Sequence, residues 1–225
     1  EPLQHIRGEQ EFFGLRIAVT PAVLIPRPET ELVVERVIAA LHGRHGARIA
    51  DVGTGSGAIA IAVAHEIPGC RVVATDESAD ALEVARRNAR EMGVEDRITF
   101  ALGWLTEPLR DHAPFDAIAA NLPYVTTAEW ESLEPEVRDY EPRLALDGGA
   151  DGLDLIRALV TEAPAMLAPG GSLVLEVGHE HGAVVAELLA AHGFTDVAIR
   201  RDLAGIPRVV EGRRGGESRG SVDGG

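Results

Sequence analysis

Lysine is absent from this 225-residue chain: all 21 basic residues are arginine, set against 36 acidic ones for a formal net charge of −15. Gripping a polyanion takes clustered cations, so this balance counts against a binder of duplex DNA or bulk RNA. Cysteine is nearly absent too. Cys70 alone excludes an intrachain disulfide and any Cys-based zinc cluster, and reads as buried packing. No apolar run approaches the ~18–20 residues that would span a bilayer. Glu1-Pro2-Leu3-Gln4 is not a basic end leading into an apolar stretch, so no secretory leader and a cytoplasmic location are expected. Asparagine occurs twice, at Asn88 and Asn121; in so Asn-poor a chain, each gains weight as a functional candidate. What remains is ordinary globular composition, with a length that suits one α/β domain and a sizeable core.

The hydrophobic pattern supplies the elements. Apolar residues alternate from Leu15 within residues 11–19, an extended stretch, and Pro21, Pro26 and Pro28 then hold the chain extended. Residues 29–41 carry a helical stripe, with acids in the first turn. From there strands and helices alternate. Strands are predicted at 49–52, 72–75, 98–102, 115–120, 173–177, 197–200 and 208–210, and helices at 58–66, 79–92, 154–167 and 183–192. Alternation of this kind implies a doubly wound α/β domain: a mostly parallel, seven-stranded sheet with helices on both faces. The expected organisation is a β-hairpin and connector over 1–28, the α/β domain over 29–212, and a disordered tail over 213–225, rich in Gly, Ser and charge.

Between the first of those strands and its helix runs Asp51-Val52-Gly53-Thr54-Gly55-Ser56-Gly57. Glycine at alternate positions lets the backbone turn tightly and approach a ligand, and the helix behind offers unpaired N–H groups to an anion. Asp76 ends the following strand, at a distance that suits hydrogen bonds from ribose hydroxyls. Gly53, Gly55 and Ala58 also satisfy the permissive dinucleotide fingerprint. The loop by itself leaves NAD and S-adenosylmethionine both open, although an acid opening the motif is the methyltransferase form.

Asn121-Leu122-Pro123-Tyr124 ends the fourth strand of the alternating series, where open α/β sheets bind ligands. Its residue types suit a planar nitrogen. An amide or exocyclic amino nitrogen is a poor nucleophile because its lone pair is delocalised. The Asn121 oxygen and the Leu122 carbonyl, fixed by Pro123, can accept its hydrogens, and Tyr124 can stack on the planar group. Catalysis is then mostly positioning, and no strong base is needed. Four other clusters are set aside. His179-Glu180-His181, His42 and His45 read as solvated rather than metal-binding. Asp147, Asp151 and Asp154 miss the calcium-loop pattern, with Asp151 placed near a helix start. Arg27 and Glu29 could either shape a substrate entrance or form structural ion pairs.

Several segments together resemble one family, the protein-(glutamine-N5) methyltransferases of peptide chain release factors. They are Pro2 to Gly8, Val23-Leu24-Ile25-Pro26-Arg27-Pro28-Glu29-Thr30-Glu31, Asp51 to Gly57, Asn121 to Tyr124, Glu141 to Gly149, Asp151-Gly152-Leu153 and Asp202 to Gly205. The resemblance implies a Rossmann-like methyltransferase fold with S-adenosyl-L-methionine as cofactor, bound by Asp51, Gly53, Thr54, Gly55, Ser56, Gly57, Asp76, Trp104 and Asn121. It implies catalysis by Asn121, Pro123 and Tyr124, substrate contacts from Asn121 to Tyr124, and release factors as the protein partner, modified on a Gly-Gly-Gln loop. No nucleic-acid, membrane or metal partner is expected. Two positions depart from the family: Leu122 stands where it usually has proline, and Gly103 where it often has an acid. Asn-Leu-Pro-Tyr is also the form found in ribosomal RNA adenine dimethyltransferases, so an adenine-N6 methyltransferase is the alternative. Family members carry an N-terminal helical bundle, and residues 1–28 are expected to follow where it ends.

Overall fold

The computed structural model describes residues 1–216. A short helix α1 (Leu3–Arg7) leads into a hairpin of β1 (Glu9–Phe12) and β2 (Leu15–Ala18). Phe13 and Gly14, both at positive φ, make its two-residue turn, as hairpin twist requires. The continuous strand expected over 11–19 is therefore broken by that turn. A 3₁₀ turn at Pro28–Thr30 precedes α2 (Glu31–Ala40). The alternating series follows as β3 (Arg48–Val52), α3 (Ala58–Glu66), β4 (Arg71–Asp76), α4 (Ala79–Glu91), β5 (Ile98–Leu102) and β6 (Phe115–Ala120). Two four-residue helices, α5 (Thr127–Trp130) and α6 (Pro135–Arg138), lie in the connection to α7 (Asp154–Met166). The chain ends with β7 (Leu167–Glu176), α8 (Gly182–Ala191), β8 (Phe194–Arg201) and β9 (Pro207–Arg214).

The seven strands lie in the order β5-β4-β3-β6-β7-β9-β8. The first five run parallel, and β9 and β8 add antiparallel. The sheet reverses its winding between β3 and β6, and such a switch point opens a crevice at the carboxyl ends of the strands.

Residue alternation along the central strands divides the core. Ile49, Val72, Ala74, Ala117 and Ala119 face α2 and α3. Ala50, Val52, Ile118, Ala120, Leu173 and Leu175 face α7 and α8. Helix α3 is buried from Ala58 to Ala64, which explains its lack of a polar face. The hairpin joins this same core through Phe12 and Ile17.

Two boundaries differ from the sequence pattern. Pro169-Gly170-Gly171, between the helix predicted over 154–167 and the strand predicted over 173–177, lies inside β7 at a register shift against β6. Strand β9 runs through Arg213 and Arg214, which pair with β7 and β8, so the tail assigned to 213–225 starts too early. Residues 217–225 lie outside the described residues. Among the described residues no helix is long and apolar enough to cross a membrane.

Candidate active site

Strand register assembles the site. Val52 pairs with both Thr75 and Ala120, so Gly53, Asp76 and Asn121 leave the sheet side by side. Around them opens a cleft enclosing about 1010 Å³, its mouth included. Gly53, Thr54, Gly55, Ser56, Asp76, Trp104, Asn121, Leu122 and Pro123 all line it. Asp51, Gly57 and Tyr124, also expected at the site, do not.

Asp51 holds the loop from behind. Its carboxylate is 1% exposed and accepts from the Thr54 hydroxyl (2.6 Å) and the Ala60 amide (3.1 Å). Burial, opposed by those bonds, pushes its pKa up to about 6. Gly57 sits at φ +83, and a β-carbon there would come within 3.1 Å of the Ala85 Cβ, so it lets α3 and α4 close together. The Gly53 and Thr54 amides both donate to the Thr75 carbonyl at 2.9 Å. Asp76 accepts from the Gly55 amide (2.8 Å) with one oxygen and from the Ser78 amide (2.9 Å) with the other. Each carboxylate oxygen has a second lone pair for a ligand hydroxyl.

Trp104 is 39% exposed beside the cleft, an aromatic wall rather than a core residue. Gly103 before it has φ +156, and a β-carbon would lie 2.6 Å from the Pro108 ring. An acid at this position is sterically refused. Leu122 is buried, its Cδ2 against Gly53, so the leucine packs the Asn-Leu-Pro-Tyr turn onto the glycine loop. Gly148 and Gly152 run so close beneath that turn that β-carbons there would collide with the Pro123 and Tyr124 carbonyls.

Four residues to which the sequence pattern assigned no place at the site complete the setting. Asn88, fully buried on α4, accepts from the Ala18 amide (2.9 Å) and donates to the Ala18 carbonyl (3.0 Å) and the Ser56 carbonyl (2.8 Å). It pairs with β2 as a strand would and ties the hairpin to the glycine loop. The buried Glu141 accepts from the Ile25 amide (2.9 Å) and from Arg27 (2.5 Å), which gives Arg27 the structural role. Glu29 reaches Arg208 at 3.6 Å. Thr30 accepts from the Asn121 amide group (3.1 Å). Glu176, 2% exposed at the end of β7, accepts from the Tyr124 hydroxyl (3.1 Å). Burial raises the Glu176 carboxyl to about 7. Burial, with the nearby Glu176 charge, pushes the Tyr124 phenol above its usual range. Sequence signals existed for two of these: Asn88 is one of two asparagines, and Glu176 interrupts the apolar run of β7. Among the described residues no group of His, Cys, Asp and Glu is arranged to hold a metal.

A methyltransferase-domain family profile matches residues 49–140, the glycine loop through the Asn-Leu-Pro-Tyr turn. The release factor glutamine methyltransferase of Geobacter sulfurreducens is 48% identical over 215 residues, covering 96% of this chain and 74% of that one. A crystal structure of a release factor-specific protein-(glutamine-N5) methyltransferase from Alicyclobacillus acidocaldarius is 34% identical, with a TM-score of 0.53, covering 88% of this chain and 98% of that one. The Thermus thermophilus 16S rRNA N2 G1207 methyltransferase is 18% identical, with a TM-score of 0.65, covering 92% of this chain and 49% of that one; at that identity the likeness extends to fold alone, and the nucleic-acid alternative gains nothing from it. Identity near one half over nearly the full chain carries more: this chain belongs to the release factor glutamine methyltransferase family.

Proposed function

We propose that this protein transfers the methyl group of S-adenosyl-L-methionine to the side-chain amide nitrogen of the glutamine in the Gly-Gly-Gln loop of peptide chain release factors. The observation that carries the reading is the register that sets Asn121 beside the glycine loop in one cleft. The residues present fit the cofactor: an exposed tryptophan, a strand-end carboxylate with spare lone pairs, and a closely packed glycine turn. Gly53 to Ser56 would hold its amino-acid end, Asp76 its ribose, and Trp104 its adenine. When bound, it supplies an electrophilic methyl on a sulfonium.

The chain's own residues do the rest by placement. The Asn121 oxygen accepts one hydrogen of the substrate NH₂, and the Leu122 carbonyl accepts the other. Both bonds favour the geometry in which the nitrogen lone pair points at the methyl, and preorganised polar contacts of this kind act chiefly in the transition state. Asp51 and Asn88 stand behind the loop and keep it in place. After transfer the nitrogen sheds a proton, which can leave to water because the product amide is a very weak base.

The test is methyl transfer from labelled cofactor to a release factor and, in parallel, to the same factor with Gln replaced by Glu in the Gly-Gly-Gln loop, and to an RNA transcript. Label on the first substrate alone supports the proposal. Label on RNA and none on the release factor refutes it.

A further inference from the structure

Two buried polar residues, Thr30 and Glu176, flank the two ends of the Asn-Leu-Pro-Tyr turn. The Asn121 Nδ2 group donates to Thr30 Oγ1 at 3.1 Å, and the Tyr124 hydroxyl donates to Glu176 Oε1 at 3.1 Å. Thr30 and Glu176 are 4% and 2% exposed. Glu176 Oε2 is buried and no hydrogen bond reaches it, while the Thr30 hydroxyl is among the groups that lower the carboxyl's pKa against the effect of burial. A buried acceptor left unmet costs a large desolvation penalty. The Thr30 hydrogen, committed to no other group among the described residues, is the donor at hand.

We infer that Glu176 and Thr30 are positioning residues that set the polarity of the Asn121 amide, fixing its NH₂ end inward and its oxygen towards the cleft. The inference rests on the proposed role of Asn121 in holding the substrate amide. The logic follows from the donor and acceptor inventory. An ionised carboxylate only accepts, so it takes the hydrogen of Thr30 as well as that of Tyr124. Thr30 then has lone pairs alone to offer, and only the NH₂ end of Asn121 can bond to them. The oxygen end is left for a substrate NH₂. Turning the amide over would set oxygen against oxygen at Thr30 and present donors to donors in the cleft. A protonated carboxyl breaks this order, because it can donate to Thr30, release the threonine hydrogen towards Asn121 and tolerate the reversed amide.

Burial lifts Glu176 to about 7, against the lowering effects of Thr30, Tyr124 and Arg208, with Glu29 adding to the rise. The other ionisable neighbours are Arg27, which acts on Tyr124, Asp202, paired with Arg208, and His181, whose ring packs with Tyr124 around Gly178. Because the ionised form is the ordered one, order and activity rise as pH increases through the Glu176 transition.

The composition makes a direct test available. The chain holds four side-chain amides, Gln4, Gln10, Asn88 and Asn121, so the Asn121 NH₂ signals in a nitrogen-15 NMR spectrum are readily assigned by their loss in Asn121→Asp. The full chain, without cofactor, is titrated between roughly pH 5.5 and 8.5. The Asn121 signals should move with a midpoint near 7 and stay still in Glu176→Gln, whose amide can donate as well as accept. In methyl transfer, Glu176→Gln and Thr30→Val should lower kcat about tenfold, the scale of one lost buried hydrogen bond, with KM for release factor little changed. Thr30→Ser should recover most of that loss. Should Glu176→Gln fail to fold, the contrast between Thr30→Val and Thr30→Ser carries the test. A step that persists in Glu176→Gln belongs to another group and overturns the inference, as does a wild-type rate in Thr30→Val. An intact amide titration in a protein that methylates no Gly-Gly-Gln substrate would leave the relay standing and remove the substrate reading instead.

Discussion

Replacing Asn88 by alanine should be among the most damaging single changes outside the cleft. Three hydrogen bonds disappear, and their partners stay where they are: the Ala18 amide and carbonyl, partly buried, and the Ser56 carbonyl, fully enclosed. An enclosed carbonyl left unmet costs about 1–3 kcal/mol, and each partly buried group about 0.5–1.5 kcal/mol, so the change should destabilise by about 2–6 kcal/mol. Reversible urea unfolding monitored by tryptophan fluorescence would measure it. Asn88→Asp is the sharper variant. It preserves size and the acceptor for the Ala18 amide, but turns an acceptor towards the Ser56 and Ala18 carbonyls. Facing them, the introduced carboxyl is held above its unfolded pKa of about 4. A raised folded pKa means stability that is present at low pH and lost as pH rises through the folded value. At pH 7 Asn88→Asp should therefore be no more stable than Asn88→Ala, and it should gain on the wild type as the solution is acidified. Cofactor affinity should fall in both, since Ser56 is released. A loss below about 1 kcal/mol in Asn88→Ala, with unchanged cofactor affinity, would refute the idea that this residue clamps hairpin to loop.

Asp76→Ala should weaken S-adenosylmethionine by about 1.5–3 kcal/mol, the scale of hydrogen bonds to a charged group; calorimetry would measure this, with Asp76→Asn as the milder control that retains an acceptor. Asn121→Ala should lower single-turnover methyl transfer about 10²–10³-fold, by analogy with removal of one preorganised polar contact, while cofactor affinity falls much less; a near wild-type rate would show that the substrate amide is held elsewhere. Asp51, raised from 3.8 to about 6, contributes stability below its unfolded pKa that is lost as pH rises through 6. Asp51→Asn should accordingly remove a pH-dependent loss of up to about 3 kcal/mol between pH 4 and 6, seen as a flatter dependence of urea midpoints on pH.

Much of this architecture is written locally. The bounds of α3, β5 and β6 follow from mainly apolar stretches ended by Glu66, Gly103 and Asn121, because each stretch fills a layer whose period is set by backbone geometry. The glycine loop, Asp76 and Asn121 are likewise legible, since they fall at strand ends and strand ends converge. Other features are not local. Phe13-Gly14 turns within an alternating stretch, and its positive φ values are a property of the hairpin. Helix α5 carries a readable mark, the capping box of Thr126 and Glu129, but a four-residue helix has no periodicity to detect. Asp51 shares its motif with the loop, yet faces away because the strand's last in-pointing position meets α3. Thr30 and Glu176 could not be joined to Asn121 and Tyr124 from spacing, as they arrive from different ends of the chain.

That arrangement has a consequence in time. The Ile25 amide waits for Glu141, 116 residues away. Asn121 is oriented by Thr30, 91 residues before it, and the glycine loop is clamped to a hairpin 70 residues before Asn88. Contacts of this span close long loops before they are rewarded, and chains dominated by non-local contacts fold slowly. Substrate-binding geometry should therefore appear only when the whole domain has closed, and a partly folded chain, although it carries the complete glycine loop, should be unable to sequester cofactor or engage a release factor unproductively.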